Sequence, residues 1–137
     1  AHLRLGTGEW FGDNVVNATG RNQTLSAIVG GGGTATFSVR IQNDGNITEP
    51  ITLRGSATSD RFKVTYLAGS TDITAAVVNG TYRTAPIAPG AKTKINVEIK
   101  AKPVATLNST VDVVVTATST TFTTSKDAVK ASVTRNR

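Results

Sequence analysis

The chain contains a single histidine, and it is the second residue. Nucleophilic catalysis needs a nucleophile held beside a base, and His2 lies where a chain end is least constrained, so a Ser-His-Asp arrangement is not expected. Zinc takes His and Cys ligands, and one terminal His with no Cys offers it nothing. Nine acidic residues are scattered over 137 positions, which argues against the paired carboxylates of glycoside hydrolysis. Asp13, Asp44, Asp60 and Asp72 fall in turn-like contexts, where Asp is favoured for bonds to its own backbone. A calcium site on Asp44 or Asp72 with loop carbonyls is the one metal reading, and no EF-hand loop supports it. The run Gly30–Gly33 could cradle phosphate only if a helix followed; a strand-like segment follows instead. The expectation is a protein with no catalytic residue, no metal and no cofactor.

Two other patterns carry more information. Asn17, Asn22, Asn46, Asn79 and Asn108 each begin an Asn-x-Ser/Thr triplet. With nine Asn, and 32 Ser plus Thr in 137 residues, chance gives about two such triplets against five found. All five fall in turns or at strand entrances, where a glycan is tolerated and where Asn and Thr are also common for conformational reasons. The second pattern is charge. Residues 1–82 carry six basic and six acidic side chains, whereas residues 83–137 carry nine and three, the source of the whole net charge of +6. Lys92, Lys94, Lys126 and Lys130 are the candidate basic surface, suited to an anionic cell-surface glycan if they converge on one face. No aromatic stacking residues are interleaved with them and no basic helix is present, so nucleic acid is not an expected partner. A solvated sheet face that discourages edge pairing is the competing explanation.

These residues must be held by strands. From Thr34 to Gln42, Ala35, Phe37, Val39 and Ile41 alternate with polar residues, and Ile51 and Leu53 do so again after the polar turn Asn43–Asn46. That period of two marks strands with one face on a core and one in water. Similar segments are Thr24–Val29, Phe62–Tyr66, Lys94–Lys100, Val111–Ala117 and Val129–Val133. Thr71–Val78 reads as one turn of helix capped by Thr71 or Asp72, or as an irregular strand. Asn79-Gly80 is a hairpin signal leading into Thr81–Arg83, and Pro89-Gly90 fits the centre of a type II turn. At the N-terminus Leu3 and Leu5 alternate with His2 and Arg4, followed by a Gly-, Asn- and Asp-rich connection in which Trp10 reads as a plug over one end of the core. Eight to ten short strands without helical crossovers predict an all-β, immunoglobulin-like antiparallel sandwich. One domain is expected over 1–137, with residues 1–22 as a strand and connecting arm and 23–137 as the body.

The string Thr34-Ala35-Thr36-Phe37-Ser38-Val39-Arg40-Ile41-Gln42-Asn43-Asp44-Gly45-Asn46 resembles the strand and turn of prokaryotic extracellular immunoglobulin-like domains of the CARDB type. Pro89-Gly90 before the alternating Lys94–Lys100 resembles a second feature of those domains. The resemblance implies a non-catalytic module of secreted or cell-surface proteins, used in adhesion, spacing and assembly.

Absence of Met with Ala1 first fits removal of an N-terminal segment, so a secreted, extracellular or cell-surface location is expected. No run approaches the roughly 20 apolar residues of a membrane-spanning helix. Two roles follow. One is a structural subunit polymerising with copies of itself, with His2, Leu3, Arg4 and Leu5 as the donor strand completing a neighbour's sheet edge. The other is a monomeric adhesion or glycan-binding module using the basic C-terminal third.

Overall fold

The structure is a computed structural model that describes residues 2–5, 24–43, 47–102, 108–120 and 126–135, with backbone alone at 2–5, 126 and 127. The arm at 6–22, with Trp10, lies outside the described residues. In chain order the elements are β1 (His2–Leu5), β2 (Thr24–Val29), β3 (Thr34–Gln42), β4 (Ile51–Gly55), β5 (Phe62–Ala68), β6 (Thr71–Asp72), α1 (Thr74–Asn79), β7 (Tyr82–Arg83), β8 (Lys92–Ala101), β9 (Thr110–Ser119) and β10 (Lys126–Arg135).

The strands form two five-stranded sheets, in the orders β1-β3-β8-β5-β6 and β2-β10-β9-β4-β7. Pairing is antiparallel throughout except for β2 against β10, which is parallel. Four strands of one sheet and three of the other, β1-β3-β8-β5 and β10-β9-β4, reproduce the two-sheet arrangement of immunoglobulin-type sandwiches. The inward positions of both sheets meet in one core. Phe37, Val39 and Ile41 of β3, Ile95, Val97 and Ile99 of β8, and Phe62, Val64 and Tyr66 of β5 face Leu53, Val113, Val129 and Val133 of the other sheet. All are essentially excluded from water, and each such side chain contributes about 1.5–3 kcal/mol through burial.

β3 and β4, adjacent in sequence around the Asn43 turn, do not pair; they lie in different sheets. The connection is instead locked by Asn43, which is only 2% exposed. Its side-chain amide donates to the carbonyls of Ile47 (2.7 Å) and Ile87 (2.6 Å). Its backbone N–H donates to Ala91 O (3.0 Å), and its carbonyl accepts from Gly90 N (2.7 Å). Asn43 thus ties the exit of β3 to the turn that enters β8. That turn has the type II form: Ala91 N donates to Ala88 O (2.9 Å) and Gly90 has φ 79.

Asn79-Gly80 is not a hairpin turn. The segment Thr74–Asn79 is helical, and Gly80 (φ 73) is its left-handed C-cap. Gly80 N donates to Val77 O and Thr81 N to Ala76 O, the pair of bonds of a Schellman motif. An Asn-Gly pair supplies positive φ wherever the chain needs it, and here the fully buried Val77 docks a helical turn against the core. Nor do Thr71 or Asp72 cap the helix in the usual way, because the N-cap residue is Ile73 and has no side-chain bond. Asp72 Oδ1 instead accepts from Thr74 N (2.9 Å) and Thr74 Oγ1 (2.6 Å), at the first residue of the helix.

Candidate functional site

What a sandwich can bind is decided by its edges and by the two outward sheet faces. The edge of β5 is closed by hydroxyl groups. Thr58 Oγ1 accepts from Val64 N (3.0 Å) and donates to Val64 O (3.3 Å). Ser59 Oγ accepts from Phe62 N (3.2 Å), and Ser59 N donates to Phe62 O (2.9 Å). Thr74 Oγ1 accepts from Tyr66 N (3.0 Å), while Ile73 N donates to Tyr66 O (2.9 Å). Three alternate residues of β5 thereby have both backbone groups engaged, and no incoming strand can pair with them. β4 is closed in a similar way by β7, by Thr84 bonded in both directions to Ile51 (2.9 and 3.0 Å), and by the Glu49–Ile87 bridge. The edge-closing hydroxyls of Thr58, Ser59, Thr74 and Thr84 are features that sequence reasoning missed. Thr is abundant throughout the chain, and nothing local marks the few that imitate a strand.

The opposite side is built differently. There the sheets end, among the described residues, in β1 and β2. β1 pairs antiparallel with β3 of its own chain, His2 opposite Arg40, Leu3 opposite Val39, Arg4 opposite Ser38 and Leu5 opposite Phe37. It covers four of the nine residues of β3; among the described residues Thr34–Thr36 and Ile41–Gln42 have no β1 partner. The intramolecular seat is the alternative to a donor strand. Its register also states which residues a donor would meet, with Leu3 and Leu5 at positions opposite the fully buried Val39 and Phe37.

The candidate basic surface is not one surface. Lys92 and Lys94 lie on β8, whereas Lys126 and Lys130 lie on β10, in the other sheet. In a sandwich the outward positions of two sheets look in opposite directions, so these lysines do not converge. Lys92 and Lys94 are instead joined by Lys100 on the same strand, Arg40 on β3 and Lys63 on β5. Arg40 and Lys63 lie outside the basic C-terminal third and became neighbours only through strand pairing.

Of the triplet asparagines, Asn79 and Asn108 are exposed. Asn79 is the last residue of α1 and Asn108 has φ 65 in the turn before β9. Both are accessible to a modifying enzyme. Asn17, Asn22 and Asn46 lie outside the described residues, as does Asp44. Asp72 does not present a free carboxylate: the Thr74 hydroxyl, then the Thr74 N–H, hold its pKa below the usual carboxylate value. Among the described residues no group of three or more His, Cys, Asp or Glu is placed to hold a metal ion. No helix among them is long and apolar enough to cross a membrane.

No family model matches the chain, and no curated protein resembles it in sequence. Among solved structures it is similar to a family 123 glycoside hydrolase from Clostridium perfringens, described in connection with glycolipid glycan hydrolysis. The TM-score is 0.50 at 11% identity, over 84% of this chain and 23% of the hydrolase. The chain therefore spans less than a quarter of that protein's length, and the likeness is one of fold alone.

Proposed function

We propose that this chain is a non-catalytic structural subunit of a secreted or cell-surface assembly, polymerising when β1 leaves its own sheet and completes that of a neighbour. The observation that carries the reading is the unequal treatment of the edges. One side of the sandwich is sealed residue by residue with hydroxyls and short bridges. The other ends in a four-residue strand joined to the body by residues 6–23. A segment of that length lets β1 reach a second subunit, and exchange of identical elements costs little because each subunit recovers the contacts it gives up. The transferred register would repeat the one within the chain, and the contact is head-to-tail, so it propagates instead of closing. The likeness of Thr34–Asn46 to CARDB-type extracellular domains supports the same class of role.

The chain has no cysteine, which gives a clean test. His2→Cys and Arg40→Cys proteins, mixed and oxidised, should form a disulfide between chains, since positions 2 and 40 are register partners. Negative-stain images of the unmodified protein should show filaments that vanish when residues 2–5 are deleted. A disulfide that forms only within the doubly substituted chain, with filaments unaltered by the deletion, would refute strand exchange.

A further inference from the structure

The outer face of the sheet β1-β3-β8-β5-β6 carries Arg40, Lys63, Lys92, Lys94 and Lys100 against two described carboxylates, Glu98 and, at the β6 margin opposite Leu67, Asp72. Two pairs of cations stand directly opposite one another across adjacent strands, Arg40 with Lys94 and Lys63 with Lys100. Like charges in direct cross-strand register are destabilising by some tenths of a kcal/mol or more. Lysines on a sheet are commonly explained as guards of an exposed edge. That explanation fails for Arg40 and Lys100, because Arg40 lies between His2 of β1 and Lys94 of β8, and Lys100 between Thr34 of β3 and Lys63 of β5; Lys92 and Lys94 pair with β3 alone. The other outer face behaves differently. Among its described residues Arg54 faces Thr116, Arg83 faces Thr52, Lys130 faces Val114 and Asp112 faces Ser132, with no like-charge pair in register.

We infer that this first face is a docking surface for a linear anionic polysaccharide, one bearing carboxylate or sulfate groups along a sugar chain. Charge complementarity selects a polyanion, since the cations repeat along β8 and across three strands as a flat field. Several features separate a sugar polymer from nucleic acid. The outward positions of β3, β5 and β8 hold no aromatic side chain on which bases could stack. A broad sheet face cannot enter the major groove of a duplex as a helix or a two-stranded ribbon does. Between the cations lie Thr36, Gln42 and Asn96, polar groups fit for hydroxyls; Ser38, which donates to Asn96 across the strands at 3.0 Å, is itself buried. The inference does not depend on strand exchange: a monomer and a filament would both present this face.

Binding to polygalacturonate and to heparin, as carboxylate and sulfate probes, tests it, with dextran as the neutral control. Both polyanions should bind and dextran should not, with affinity falling steeply between 50 and 300 mM salt as the Debye length shortens from about 14 to about 6 Å. Replacing each opposed pair, Arg40→Gln with Lys94→Gln or Lys63→Gln with Lys100→Gln, should weaken binding at least about tenfold at low salt. Thermal midpoints should be equal or higher, because repulsion has been removed. Lys130→Gln, on the far face, should bind as the parent does. The inference is overturned if Lys130→Gln weakens binding as much as the pair substitutions, if dextran binds comparably, or if single-stranded or duplex DNA of matched charge binds more tightly than either polysaccharide.

Discussion

Gly55, the last residue of β4, allows a direct test of how the two sheets are joined. The phenol of Tyr66, reaching from β5, fills the space that a side chain at position 55 would occupy; a Cβ there would lie well inside van der Waals contact with the ring and its oxygen. The Tyr66 hydroxyl donates to Ser56 O at 2.7 Å, and the residue is fully buried. The backbone at Gly55 is not left-handed, so alanine is conformationally permitted and would by itself stabilise the fold by about 0.4–1 kcal/mol through the unfolded chain. Overpacking against the ring opposes this and costs about 1–3 kcal/mol, so Gly55→Ala should destabilise the protein by roughly 1–2 kcal/mol net. Tyr66→Leu shortens the side chain and clears that space, at about 2–4 kcal/mol for the cavity and the lost hydrogen bond. In the Tyr66→Leu background Gly55→Ala should therefore become neutral or stabilising, a coupling of about 1–3 kcal/mol in a double-mutant cycle. Urea unfolding followed by circular dichroism measures all four proteins. If Gly55→Ala costs the same with tyrosine and with leucine at position 66, the close approach is not what requires glycine, and the reasoning fails.

Burial holds the Tyr66 hydroxyl protonated well above the ordinary tyrosine range. The unfolded chain ionises near pH 10, so this contribution is complete below that pH and is lost above it, at about 1.4 kcal/mol per pH unit; the slope should be absent in Tyr66→Phe and should remain in the difference between the parent and that variant. Asn43→Leu strands two carbonyls, of Ile47 and Ile87, and should cost about 2–4 kcal/mol by chemical denaturation, whereas substitution of an exposed residue such as Lys92 should change stability by under about 0.5 kcal/mol. Gly80→Ala puts a Cβ on a residue with φ 73 and should lower stability by about 1–2 kcal/mol, with little change if D-alanine is introduced there by chemical ligation.

The sequence makes strands legible where one face is wet. Thr34–Gln42, Lys92–Ala101 and Thr110–Ser119 alternate cleanly because their outward positions meet solvent and their inward ones meet the core, and each lies within a residue or two of its expected span. Pro89-Gly90 is legible for a local reason, since proline and a left-handed residue in that order leave few turn geometries. Asn79-Gly80 misleads for a related reason. Positive φ is needed both in a tight hairpin and at the end of a helix, and only the docking of Val77 decides between them. Asn43 reads as turn polarity, yet its bond to Ile87 spans 44 residues, a distance at which no local pattern reports.

The lysines show where sequence periodicity stops being informative. Alternation establishes that Lys94 and Lys130 both point away from the core, but a sandwich has two exteriors, and alternation is the same for both. Membership of a sheet is settled by long-range pairing, which put Lys94 beside Arg40 and Lys63 beside Lys100 while sending Lys130 to the far side. The same pairing turns a statement about composition into one about energy. Basic residues spread along a chain cost nothing in particular, whereas two like-charged pairs in direct cross-strand register work against the fold that holds them. Edge protection cannot account for the charge at Arg40 and Lys100, positions paired on both sides. An anionic ligand on that face can, because binding it removes the repulsion, and the affinity and the recovered stability then come from the same residues.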